Sequence, residues 1–244
     1  MGLMKLITFP MERSYSLTGP EADRAVEVGL ANAEWYRSPV DRKVLKGLMK
    51  RSDSPALRDT AIWLGLLVAT GAAGVALWGS WWALPFFVVY GVLYATAADS
   101  RWHECGHGTA FRTRWMNDAI YEIASFLMMR NSVVWRWSHT RHHTDTIIVG
   151  RDPEITGMRP PQLIVIALNF FGIVSVPQSF AALLRNALGR LDPEELEFVP
   201  EIERPRAYRV ARIHMAIYGA TLLACLATWS ILPAMLIGLP RFYG

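Results

Sequence analysis

Five of the six histidines in this 244-residue chain fall into two clusters, His103-Glu104-Cys105-Gly106-His107 and His139-Thr140-Arg141-His142-His143. Side chains three or four residues apart share one helix face, so each cluster can aim ring nitrogens at a common point. Neutral imidazole is a strong ligand for zinc and iron. The two clusters together predict one polynuclear metal site, with His103, His107, His139, His142 and His143 as ligands. His214 stands apart near the start of the last apolar tract, where a helix-end histidine reads as interfacial, and is left outside the set.

Two metals compete for this pattern. His103 to His107 satisfies the HExxH spacing of zinc proteases, in which the two histidines hold zinc and Glu104 is the catalytic general base. That scheme needs a third ligand and leaves His139, His142 and His143 surplus, and Gly106 is a poor helix former within the box. A histidine-rich iron site uses both clusters, with nitrogen ligands holding iron at a potential suited to activating dioxygen. The plainer reading has the histidines lining a polar membrane interface, with Trp102, Trp135 and Trp137 as belt residues.

The elements that carry these clusters read as membrane helices. The chain is 52% hydrophobic and 19% charged, too apolar for an ordinary soluble domain and too charged to lie wholly in lipid. The net charge of +4 forms no continuous basic patch, so nucleic acid is not an expected partner. Two cysteines, Cys105 and Cys225, exclude a disulfide framework. Met1 to Pro10 is a short mixed run without a signal-peptide core, so no cleavable leader is expected. Residues 1–56 form an N-terminal cytosolic cap, partly helical over Glu21 to Tyr36, and 57–244 the membrane domain.

Within 57–244, Ala61 to Trp78 and Ala83 to Ala98 are uncharged and predict a transmembrane helical hairpin turned at Gly79-Ser80-Trp81-Trp82. Ten Lys and Arg precede Ala61, none lies in the turn, and Arg101, Arg112 and Arg114 follow the second helix. That asymmetry puts the N-terminus, both ends of the hairpin and the histidine clusters on the cytosolic side. Asn117 to Ser138 reads as an interfacial amphipathic segment. Gln162 to Leu184 is apolar but interrupted by Asn169, Pro177 and Gln178, and either crosses or lies in the interface. Ile213 to Leu239 allows one long tilted helix or two short ones broken at Pro233. The expected fold is all-α and integral to the membrane, with about four spans in helical hairpins, interfacial helices and a cytosolic histidine-box metal site.

The hairpin, HECGH, the segment ending WRWSHTRHH and the two later apolar tracts together resemble the membrane fatty acid desaturase and hydroxylase superfamily. Glu34-Trp-Tyr36, Arg58-Asp-Thr-Ala-Ile-Trp63, HECGHGTAF and HHTDTIIVGRDPEI resemble its bacterial rhizopine-oxygenase-like and hydrocarbon oxygenase group. The resemblance implies two iron ions as cofactor, dioxygen as co-substrate, two electrons from a carrier such as ferredoxin, and oxidation of an unactivated C–H bond. The substrate it implies is a lipid or another hydrophobic or small molecule, at the bacterial inner membrane. Glu104, Asp145 and Asp152 are candidate carboxylate partners of the ligand histidines. The family's third HxxHH box has no counterpart in this sequence, which reads as the N-terminal part of a desaturase. Such a chain is expected to be inactive alone, and a non-catalytic membrane fragment that needs a partner chain is a third reading.

Overall fold

The computed structural model describes residues 13–32, 34, 36–155 and 157–244. The expectation about Met1 to Pro10 lies outside them, as does Trp35. Among the described residues every regular element is helical: α1 (Pro20–Glu27), α2 (Arg42–Leu48), α3 (Asp53–Ala76), α4 (Ala83–Tyr94), α5 (Thr96–Gly106), α6 (Arg114–Leu127), α7 (Ser132–Asp145), α8 (Leu163–Asn169), α9 (Ser175–Ala187), α10 (Pro193–Leu196), α11 (Arg204–Thr228), α12 (Leu232–Leu236) and α13 (Pro240–Tyr243). Three helical stretches have the length and apolar composition to cross a bilayer, Arg42–Ala76, Ala83–Gly106 and Glu201–Thr228. Only 22%, 39% and 11% of their most apolar windows is buried inside the protein, so most of that apolar surface faces outward. Such surface is stable in lipid and not in water. The protein is an all-α integral membrane protein.

The chain divides into two compact units, one of residues 1–36 and 133–212, the other of 37–132 and 213–244. The second unit contains the hairpin. Glycines let its helices approach closely: a Cβ on Gly71 would lie 3.0 Å from the Tyr90 ring, and one on Gly74 would lie 3.0 Å from the Phe87 ring. Small residues at such crossings replace the hydrophobic drive that helices lack in lipid. Trp63, 2% exposed, donates its indole N–H to the Leu93 carbonyl at 2.8 Å and locks the hairpin near its open end. At the α3 N-terminus, Asp53 accepts from the Thr113 backbone N–H at 2.9 Å and from its hydroxyl at 2.7 Å, which ties α3 to the start of α6. The short helices α12 and α13 dock on α4, where the Tyr90 hydroxyl donates to the Leu236 carbonyl at 2.8 Å.

The last apolar tract is broken, as one of the two expectations had it, but upstream of Pro233. The chain turns at Trp229, whose φ is 48°, and Pro233 sits in the first turn of α12, where a missing N–H costs nothing.

The first unit is built on a core of Val133, Val134, Leu191, Val199 and Ala207, with Trp137, Phe198, Tyr208 and Val210 packed on it. A capping box at Asp192 and Glu195 starts α10. Glu195 also accepts from the buried Asn186 amide at 3.1 Å. Gly150, at φ 80°, lets the loop after α7 pass so close to α1 that a Cβ there would lie 2.6 Å from the Ala22 nitrogen. Only glycine meets both demands.

Candidate metal centre

The second histidine cluster lies on α7, whose Val133, Val134 and Trp137 anchor the helix in its unit's core. His139 and His143, one turn apart, bring their Nε2 atoms to 3.2 Å. Two nitrogens each about 2.05 Å from a common ion and that far apart subtend about 100°, between octahedral and tetrahedral values. Behind His139, its Nδ1 lies 2.9 Å from Glu154 Oε2, while Ser138 donates to Glu154 Oε1 at 3.0 Å. A carboxylate oxygen there suits an Nδ1–H donor, and in the neutral ring of that tautomer Nε2 keeps its lone pair.

His142 is held by the same device. Its Nδ1 lies 2.9 and 3.0 Å from the two oxygens of Asp152, a side chain only 1% exposed. Asp152 also accepts the backbone N–H of Ile147 and of Glu154, each at 2.8 Å. Both of its oxygens thus accept a backbone donor, an arrangement that suits an Nδ1–H donor on His142 as well. Ile147 takes φ 63°, a left-handed conformation costing a β-branched residue about 1–2 kcal/mol, and its bond to Asp152 helps offset that strain.

The first cluster lies at the C-terminal end of α5. The His103 and His107 rings meet edge to face with centroids 4.8 Å apart. Gly108, at φ 65°, closes the helix: its N–H donates to the Cys105 carbonyl at 2.9 Å and that of Thr109 to the Glu104 carbonyl at 3.2 Å. Gly106, an unfavourable residue on propensity alone, is explained by packing. A Cβ there would lie 3.1 Å from the ring of Tyr121, which stacks on Trp102 with centroids 6.2 Å apart and donates its hydroxyl to the Ser132 carbonyl at 2.7 Å. Trp102 in turn neighbours His103 at 6.3 Å and carries the Arg130 guanidinium 4.6 Å from its ring, with Arg130 paired to Asp99 at 3.0 Å. The box is thus seated on a stacked aromatic pair clamped by an ion pair.

Of the three carboxylates singled out in the sequence, Asp152 contacts a histidine of the second cluster, His142. Asp145, equally buried, instead accepts from Arg141 at 2.7 Å and Arg151 at 3.1 Å. Glu104 is exposed, and its carboxylate lies 3.4 Å from the Thr109 hydroxyl. Glu154 was not singled out, being fifteen residues from His139 in sequence, and only the folded loop joins them. His214 is buried in the other unit against Phe126, with ring centroids 5.2 Å apart. In donor type and spacing the His139–His143 pair fits a nitrogen-liganded metal.

The model of the family described as fatty acid desaturase matches residues 79–244, more than half of the chain. The chain belongs to the fatty acid desaturase family. This family member is 31% identical over 88 residues to the sn-1 oleoyl-lipid 12-desaturase of Synechocystis sp., a match covering 34% of the chain and 25% of that protein. It is 27% identical over 122 residues to the Delta(12)-fatty-acid desaturase of Arabidopsis thaliana, covering 50% of the chain and 27% of the relative. To the Delta(5) fatty acid desaturase fat-4 of Caenorhabditis elegans it is 35% identical over 75 residues, covering 30% and 16%. The chain therefore matches about a quarter of the length of these relatives, or less. No solved structure matches it.

Proposed function

We propose that this chain carries two histidine boxes of a membrane di-iron oxygenase that oxidises an unactivated C–H bond of a lipid acyl chain or a similar apolar substrate. The observation that carries the reading is the His139–His143 pair, whose Nε2 atoms stand 3.2 Å apart with Glu154 against His139 Nδ1. It is supported by family membership and by relatives whose names describe acyl-lipid and fatty acid desaturases. His103, His107, His139, His142 and His143 are the proposed iron ligands. Iron held there supplies, with dioxygen and two electrons, an oxidant strong enough to remove hydrogen from a saturated carbon.

The chain's own residues do the rest. Glu154 and Asp152 keep protons on Nδ1 so that Nε2 faces the metal, and the carboxylates make those imidazoles stronger donors. Trp102, Tyr121 and the Arg130–Asp99 pair hold the α5 end of the set in place. The apolar helices keep the protein in the bilayer, where an acyl substrate is already concentrated. The clusters face the cytosol at a bacterial inner membrane in this reading, and the cationic residues before the hairpin help dock an acidic ferredoxin.

The activity is proposed for the whole protein. The test is to supply the protein in lipid nanodiscs with iron, dioxygen and reduced ferredoxin, and to read products by mass spectrometry. Loss of two hydrogens from an acyl chain identifies a desaturase, and gain of one oxygen a hydroxylase. Acyl chains that remain unchanged under turnover of ferredoxin would refute the lipid assignment.

A further inference from the structure

Between Arg159 and Arg185 the chain holds no charged residue, a stretch whose composition suits the interior of a bilayer. Its folded form does not suit crossing one. Helix α8 has 7 residues and α9 has 13, so at 1.5 Å per residue they reach about 10 and 20 Å, short of a hydrocarbon core of roughly 30 Å. The turn between them carries the most exposed apolar side chain of the segment, Phe170 at 79%, with Phe171 and Ile173 more than half exposed.

Three backbone donors of that turn are satisfied within it. The N–H groups of Phe171, Gly172 and Ile173 donate to the carbonyls of Leu168, Asn169 and Leu168 at 3.0–3.2 Å, with Gly172 at φ 63°. Asn169 turns its side-chain oxygen to the Ser175 N–H at 2.8 Å and so starts α9. The three backbone bonds are those of a glycine helix C-cap, and they meet part of what a turn in hydrocarbon requires. On α9, Val176, Leu183 and Asn186 are buried in the protein, yet Phe180, Leu184 and Leu188 on another face are exposed and apolar. A surface helix facing water would be polar there.

We propose that residues 163–188 form a re-entrant hairpin that dips into one leaflet of the bilayer, with Phe170, Phe171 and Ile173 at its tip and Arg159 and Arg190 remaining on the same aqueous side. The occupant of the exposed face is lipid. The hairpin gives the unit that carries the second histidine cluster its own hold on the membrane, independent of α3 and α4.

The test uses the full chain in sealed liposomes, with Cys105 and Cys225 replaced by serine. Spin labels at F171C and R190C are compared for collision with oxygen and with an aqueous nickel chelate, and R159C and R190C for reaction with a membrane-impermeant maleimide. The expected result is a several-fold higher oxygen-to-nickel ratio at 171 than at 190, with 159 and 190 both labelled from one side. Labelling from opposite sides would show a crossing segment and overturn the proposal. So would free nickel access at 171, which would place the tip in water or against a protein partner. A second measurement spares the sequence: the native chain is irradiated with lipid carrying a diazirine in its acyl tail. Adducts are expected on 170–173, and their absence there while α3 and α4 are labelled would equally overturn it.

Discussion

Asp152 holds His142 through both carboxylate oxygens, 2.9 and 3.0 Å from Nδ1, while receiving the N–H groups of Ile147 and Glu154. One buried side chain therefore holds a proposed ligand and fixes the fold of the loop that delivers Glu154 to His139. Replacing it with asparagine keeps the shape but removes the charge and offers a donor in place of one acceptor oxygen. We expect Asp152→Asn to weaken iron binding about 10- to 100-fold, measured by chelator competition on purified protein. Unchanged affinity would remove Asp152 from the site.

Asp145 is the contrasting case. It is as buried as Asp152, but its partners are Arg141 and Arg151. Asp145→Asn leaves two guanidinium groups facing a neutral amide, which should cost about 3 kcal/mol of stability. Thermal unfolding in detergent should show the loss, while iron per folded chain stays at the parent level.

Tyr121 joins the seat of the first cluster to the first residue of α7 through its 2.7 Å bond to the Ser132 carbonyl. Tyr121→Phe keeps the stacking on Trp102 and removes the hydroxyl's bond to that carbonyl. The expected cost is about 1–2 kcal/mol in unfolding free energy. Tyr121→Ala removes the ring as well and should cost clearly more, about 3–5 kcal/mol in total.

The hairpin crossing is tested at Gly74, where added atoms would meet the Phe87 ring. Gly74→Leu should destabilise by about 1–3 kcal/mol through overpacking. Adding Phe87→Ala should return part of that loss, because the leucine then has space. A double variant no better than the sum of the single changes would show that the crossing is not packed as described.

Much of this was legible in the chain. Uncharged runs at 61–78 and 83–98 announced the hairpin, since lipid admits few other readings of such composition, and histidine spacing announced that His139 and His143 share one face of α7. What escaped depends on contacts distant in sequence. Glu154 reaches His139 only because Asp152 and Gly150 shape the loop between them, and neither residue marks its partner in the sequence. Gly106 read as a flaw in a helix until Tyr121 was seen to occupy the space of its missing side chain. The tract from 162 to 184 satisfied two readings, because composition reports affinity for lipid and not whether Asn169 will end a helix halfway.

The central claim is that the clustered histidines hold iron. Elemental analysis of protein purified in mild detergent from cells grown with added iron and zinc tests it most directly, with His139→Ala, His142→Ala and His143→Ala alongside. Iron is expected as the dominant bound metal, falling to background in His139→Ala and His143→Ala and reduced in His142→Ala. One zinc per chain, indifferent to all three substitutions, would contradict it and point to His103, Glu104 and His107 as a zinc protease site instead.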